Sequence, residues 1–142
     1  MAKRHLLESY SVVRRELGLI FACELRGCGL GRQQAQILLR LLESPCSMTE
    51  LSFFTQADPA STTRTVSVLE KTGLVKRATD PDDARKNIMQ LTAKGRSRGD
   101  VAFKIREKIE TTLEEILEKG ECKDLSRLLE KVAAGLSKIR TK

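Results

Sequence analysis

The stretch DPASTTRTVSVLEKTGLVKRATDPDDARKNIMQLTAKG, residues 58–95, decides the fold. Asp58-Pro59 is a helix start: an acidic N-cap, then a proline at the first helical position, where its fixed φ fits and no amide hydrogen is needed. Thr62, Val66 and Leu69 then recur on one face. Gly73 suits the left-handed residue that closes a helix. Leu74 to Ala78 reads as a strand, and Thr79 to Lys86 as a polar turn holding three aspartates, one arginine and one lysine. Asn87 to Leu91 alternates apolar and polar residues, as a half-buried strand does. Thr92 caps a further helix. A helix followed by a hairpin with a charged tip is the plan of a winged helix, a unit that commonly reads DNA.

Upstream, Ser47-Met48-Thr49-Glu50 is a capping box, with Glu50 three residues after the capping serine. The helix it opens is short, carries Leu51, Phe53 and Phe54, and fades by Gln56-Ala57. Two such helices joined by a tight turn form a helix-turn-helix. In that arrangement the second helix enters the major groove and its N-terminal residues reach the base edges. Those residues are Ala60, Ser61, Thr62, Thr63 and Arg64. Small hydroxyl side chains allow close approach to phosphates, and Arg64 can pair with a phosphate or bidentately with a guanine. Ser61, Thr63, Arg64 and, further along the helix, Ser67 are the candidate DNA contacts. The plainer reading, exposed helix surface, fits the hydroxyl-rich helix start less well. Lys76 and Arg77 fit equally as charges that guard a strand edge.

The chain resembles the MarR family of winged helix-turn-helix regulators. Three pieces carry the likeness: Thr63-Arg64 followed by Leu69-Glu70-Lys71-Thr72-Gly73-Leu74-Val75-Lys76-Arg77; the wing Asp80-Pro81-Asp82-Asp83-Ala84-Arg85; and Leu91-Thr92-Ala93-Lys94-Gly95 at the return to helix. The middle of the chain matches by motif and the flanks by helix pattern only. The resemblance implies that Arg85 enters a minor groove, that Asp83 orients Arg85 rather than touching DNA, and that Lys86 meets a phosphate. Ala84 stands where many relatives carry another basic residue, which weakens the charge of the wing.

The flanks read as helices with long apolar stripes. Leu6, Tyr10, Val13, Leu17, Ile20 and Phe21 recur at helical spacing before a break at Gly27-Cys28-Gly29-Leu30-Gly31. Ala35, Leu38, Leu39 and Leu42 form a second stripe ending near Glu43-Ser44-Pro45. After the wing, Val101, Ile105, Ile109, Leu113, Ile116 and Leu117 lie in register until Lys119-Gly120. Leu125, Leu128, Leu129, Val132, Leu136 and Ile139 follow. These stripes exceed what a small helix-turn-helix core can cover. They either fold back on their own core or interleave with a second copy; the resemblance implies the second, with terminal helices forming a homodimer. The expected organisation is one domain over 1–142, with a winged helix-turn-helix DNA-binding part at 31–95 and dimerisation helices at 1–30 and 96–142. The resemblance also implies a small-molecule effector, often phenolic or anionic, held between those parts. The sequence marks no residue of such a pocket.

Composition agrees. A chain of 142 residues is long enough to bury a core. The formal net charge of +7 favours a polyanionic partner and speeds encounter with it. Aromatic content of 4% with no Trp argues against a stacking platform for single strands. No secretory signal is evident: Met1-Ala2-Lys3-Arg4-His5 is basic, but Glu8, Arg14, Arg15 and Glu16 interrupt the following segment. No apolar run is long enough to span a membrane. Cys23, Cys28, Cys46 and Cys122 lack metal-ligand spacing, so a cytoplasmic protein with reduced thiols is expected. Some members of the resembled family sense oxidants through a cysteine of the first helix. Here Cys23 and Cys28 lie near the end of that helix with only Arg26 as a neighbouring cation, and buried, inert thiols are expected. His5 is the sole histidine, which argues against a zinc site.

Enzyme chemistry lacks its parts. No nucleophile–base pair, phosphate-cradling loop or carboxylate pair stands at a motif, and no cofactor or metal is implied. The expectation is a mainly α (α+β) protein, a winged helix-turn-helix core flanked by long N- and C-terminal helices. Its function would be that of a ligand-responsive repressor binding a palindromic operator in double-stranded DNA as a dimer. The alternatives are a nonspecific or architectural DNA-binding protein, for which charge alone suffices, and a winged-helix protein-interaction module without DNA binding.

Overall fold

A computed structural model describes residues 5–140. The basic start Met1-Ala2-Lys3-Arg4 lies outside the described residues. Among them the chain forms α1 (Leu6–Gly27), α2 (Arg32–Glu43), α3 (Met48–Thr55), α4 (Pro59–Lys71), β1 (Val75–Thr79), β2 (Asn87–Leu91), α5 (Ala93–Ile116) and α6 (Glu121–Arg140). Two compact units divide within α5, one up to Arg106 and one from Glu107.

The first unit holds the winged helix. α2 presents Ala35, Ile37, Leu38 and Leu41 to the core. Leu51 of α3 joins them, as do Val66 and Leu69 of α4. Thr62 is fully buried on the same face of α4, and its hydroxyl donates to the Asp58 carbonyl at 3.1 Å. That bond satisfies the one polar group the core accepts there. The helix starts follow their caps. Ser47 Oγ accepts from Glu50 N at 3.2 Å while the Glu50 carboxylate accepts from Ser47 N at 2.6 Å. This backbone hydrogen bond, more than any other interaction, holds the Glu50 carboxyl below its ordinary pKa. Asp58 Oδ1 accepts from Ser61 N at 2.8 Å, with Pro59 opening α4. Gln56, at φ 54, turns the chain between α3 and α4.

β1 and β2 pair antiparallel with Val75 opposite Leu91 and Thr79 opposite Asn87. The strand expected from Leu74 begins one residue later. Leu74 N donates to the Leu69 carbonyl at 2.8 Å, so Leu74 still belongs to the close of α4, where Gly73 sits at φ +72. A third piece of sheet joins the hairpin: Cys46 and Met89 exchange both backbone bonds, at 3.2 and 2.8 Å.

α5 is seated on the same corner. Thr92 Oγ1 donates to the Gly73 carbonyl at 2.6 Å and accepts from Gly95 N at 2.9 Å. Thr92 N donates to the Leu74 carbonyl at 3.1 Å. Gly95 is buried there, and a Cβ on it would overlap the Leu74 carbonyl. Farther along, Arg98 Nη2 donates to the Cys28 carbonyl at 2.6 Å and fastens the loop after α1.

In the second unit α5 ends at Ile116, and Gly120, at φ +96, makes the turn into α6. α6 has no buried residue: its apolar side chains from Leu125 to Ile139 are 45–72% exposed.

Gly95→Ala is expected to destabilise the protein by about 1–3 kcal/mol, because the added methyl must displace backbone rather than a flexible side chain. Urea unfolding of the two proteins, compared at constant m-value, checks it.

Candidate nucleic-acid interface

α4 divides cleanly around its axis. Thr62, Val66 and Leu69 face the core. With 3.6 residues per turn, Ala60, Arg64, Ser67 and Lys71 fall on the opposite side, with Thr63 at its edge. All of these are exposed except Ser67, which is half-buried. The Thr63 hydroxyl donates to the Pro59 carbonyl at 2.8 Å, leaving its lone pairs outward. Ser61 lies elsewhere. It sits on the flank of α4 with Thr65, half-buried, and its hydroxyl reaches Gln33 Oε1 of α2 at 3.2 Å. Thus Thr63 and Arg64 are exposed and Ser67 half-buried beside them, while Ser61 is engaged with α2. Arg64 also borders a shallow groove against Arg32, Gln33 and Gln34 at the start of α2.

The wing tip is folded by its own aspartates. Asp80 Oδ1 accepts from Asp82 N at 2.9 Å, and Asp83 Oδ1 from Arg85 N at 3.0 Å. Asp80 N donates to the Lys86 carbonyl at 2.9 Å, closing the turn. Asp83 therefore touches Arg85 through the backbone, while its other oxygen lies 3.8 Å from Lys86 Nζ. The exposed Arg85 guanidinium has no ion pair among the described residues. The tip is not strongly basic: three aspartates face one arginine and one lysine.

Arg77 has a definite task. Its guanidinium holds the Glu70 carboxylate with two bonds, at 2.8 and 3.4 Å. Hydrogen bonding to Glu70 and its charge both raise the Arg77 pKa. This pair ties β1 to the last turn of α4. Lys76 remains an exposed strand charge.

Three comparisons fit this geometry. A family model described as the MarR family matches residues 29–86, which span α2 to the wing. A probable transcriptional regulator from Pseudomonas aeruginosa is 28% identical, with 90% of this chain and 96% of that chain covered and a TM-score of 0.73. A structure of MarR is 25% identical over 99% of this chain and 96% of that one, with a TM-score of 0.80. Over residues 29–86 the chain is similar to the MarR family, and its fold is that of the transcriptional regulators compared. An S. aureus MepR–DNA complex shares the fold at 18% identity, covering 94% of this chain and 99% of that chain, with a TM-score of 0.78. No curated protein matches the sequence.

The cysteines correct one expectation. Cys23 is exposed and Cys28 half-buried. α1 buries only Leu25, and a residue two positions earlier points to the other side of the helix. Cys46 is the buried thiol, on the strand bridge, and burial pushes its pKa up. Among the described residues no cluster of His, Cys, Asp or Glu could hold a metal ion, and no helix is long and apolar enough to cross a membrane.

Sequence reading missed Gln33, which carries no local motif and meets α4 only in three dimensions. It also missed a cavity of about 240 Å³ between α1 and α2. Leu17, Phe21, Leu25 and Leu39 line it, with Arg14 and Arg32 beside them. The Arg32 guanidinium lies over Gly18 of α1.

A double-mutant cycle of Arg77→Ala and Glu70→Ala, followed by urea unfolding, should give a coupling of about 0.5 kcal/mol that fades in high salt, since the pair is partly exposed. Strictly additive effects would mean that this pair contributes nothing to the seating of the wing.

Proposed function

We propose that this chain represses transcription in the cytoplasm by binding double-stranded DNA as a homodimer, acting by occupancy rather than catalysis. One observation carries the reading: the face of α4 turned away from the core gathers Thr63, Arg64 and Ser67 beside a wing whose Arg85 guanidinium is free. Thr63, Arg64 and Ser67 enter the major groove, with Ser61 at its edge. Arg85 reaches the adjacent minor groove. Lys86 meets a phosphate, and Asp83 orients Arg85 by holding its backbone N–H. The capture of the MepR relative with DNA supports this use of the fold.

Function is divided along one chain, 1–142, with residues 31–95 reading DNA and residues 1–30 and 96–142 pairing two copies. The uncovered stripe of α6 supports the pairing, because so much contiguous apolar surface marks an interaction site. Two copies related by a two-fold axis read a palindromic operator. A small apolar anion is the effector class that the cavity between α1 and α2 suits: apolar walls for a ring or chain, Arg14 and Arg32 for the charge.

Selection from a random duplex library tests the reading, since a nonspecific or architectural binder enriches no sequence and a protein-interaction module retains no DNA. Against the enriched duplex, Arg64→Ala should cost about 1–3 kcal/mol and relax one base position. Arg85→Ala should lower affinity and flatten the salt dependence by about one counterion. Neither change should unfold the protein, because both side chains are exposed.

Leu129→Asp should weaken the dimer in sedimentation, and binding of the enriched palindrome with it, because an unpaired charge in an apolar interface is costly. A monomer that kept full affinity for the palindrome would refute the dimeric assignment.

A further inference from the structure

We infer that Gln33 is a positioning residue for the DNA-reading surface: its side-chain carbonyl clamps Ser61 and Thr65 and so fixes the rotation of α4 about its own axis. The inference rests on the DNA-binding reading above. Gln33 Oε1 lies 3.2 Å from the Ser61 hydroxyl and 2.8 Å from that of Thr65. The two hydroxyls stand one turn apart on the flank of α4, and 28 and 32 residues from Gln33 in sequence. The contact therefore joins α2 to the reading helix rather than stabilising either one alone.

The buried face of α4 seats the helix against the core, and the flank contact adds a directional constraint. Val66 and Leu69 pack by apolar contact, which has no preferred direction. Two hydrogen bonds to one oxygen do have a direction. The outward tips lie at the rim of a helix about 10–12 Å across, so a turn of about 10° moves them by about 1 Å. A shift of that size spoils a bidentate contact to a base edge.

Gln33 itself has nothing left for DNA. Its Oε1 is engaged, and its Nε2 is buried with no hydrogen-bond partner. A buried donor without a partner is costly, so an apolar residue of this length would serve stability at least as well. The amide is explained by what it aligns. In this arrangement Ser61 and Thr65 hold the helix while Thr63, Arg64 and Ser67 read.

The test uses the full chain and the duplex that the wild-type protein enriches from a random library, with a scrambled duplex beside it. Gln33→Met keeps the length and removes the clamp. It should keep the wild-type melting temperature or exceed it. Affinity for the enriched duplex should fall about tenfold, the low end of what a misaligned bidentate base contact forfeits, while affinity for the scrambled duplex stays unchanged. In a Ser61→Ala/Thr65→Val background, Gln33→Met should have little further effect, because its partners are gone. Thr65→Val alone should act in the same direction, which keeps the inference testable should Gln33→Met fail to fold. An unchanged ratio of enriched to scrambled affinity, or an equal loss on both duplexes, overturns the clamp. So does a tenfold loss that persists in the Ser61→Ala/Thr65→Val background. A wild-type protein that enriches no duplex overturns the DNA-reading assignment itself.

Discussion

The geometry of the helix-turn-helix and wing depends on the peptide around Leu74. Its amide closes α4 through the Leu69 carbonyl, and its carbonyl receives the Thr92 amide at the start of α5. β1 leaves from the next residue. Three elements of the first unit thus meet at one residue, and each would leave an orphan polar group without the others. The absence of a side chain at Gly95 makes that approach possible. Because α4 and β1 share this anchor, the wing cannot move far without disturbing the end of α4.

Charge in this unit is divided between holding and offering. Glu70 is bound to Arg77, and Asp80 and Asp83 accept backbone amides at the wing tip. These acids therefore build the framework of a protein whose net charge is +7. Arg64, Lys71 and Arg85 are left exposed on the outer side of α4 and at the wing. The wing carries three aspartates beside one arginine and one lysine. The hydrogen bonds show why the acids are there: a seven-residue turn, residues 80–86, needs internal acceptors to hold its shape.

Much of this was legible because it is local. The Ser47–Glu50 box, the Asp58-Pro59 start, Gly73 and Thr92 act within a few residues of themselves, so each helix of the first unit begins and ends close to where its signals stand. The reading helix and wing followed from those boundaries. The rest depends on distant partners. Cys46 pairs with Met89, Gln33 with Ser61 and Thr65, and Arg98 with the Cys28 carbonyl. No periodicity announces such contacts. The facing of Ser61 was missed for the same reason: its place on the flank of α4 matters only because α2 lies beside it. Cys23 shows the converse: an apolar helix pattern implies burial, yet α1 buries little in a single chain and leaves Cys23 exposed.

In the proposed assembly, the modest reading surface explains the long terminal helices. One subunit offers Arg64 as its single base-reading guanidinium in the major groove, worth about 1–3 kcal/mol of discrimination, with hydroxyls that contribute less. That is far from the roughly 4–10 kcal/mol that separates specific from nonspecific binding in typical regulators. A second copy joined through the α6 stripe doubles the discrimination. It also turns the second half-site into an intramolecular contact at high effective concentration. The gain exists only if the two reading helices are held at a spacing and rotation the duplex can meet. A rigid anchor at Leu74, a tether from Arg77 and a clamp from Gln33 then have one common purpose. A few contacts per subunit suffice when their geometry is fixed twice over, and a loose helix in either copy forfeits the advantage for both.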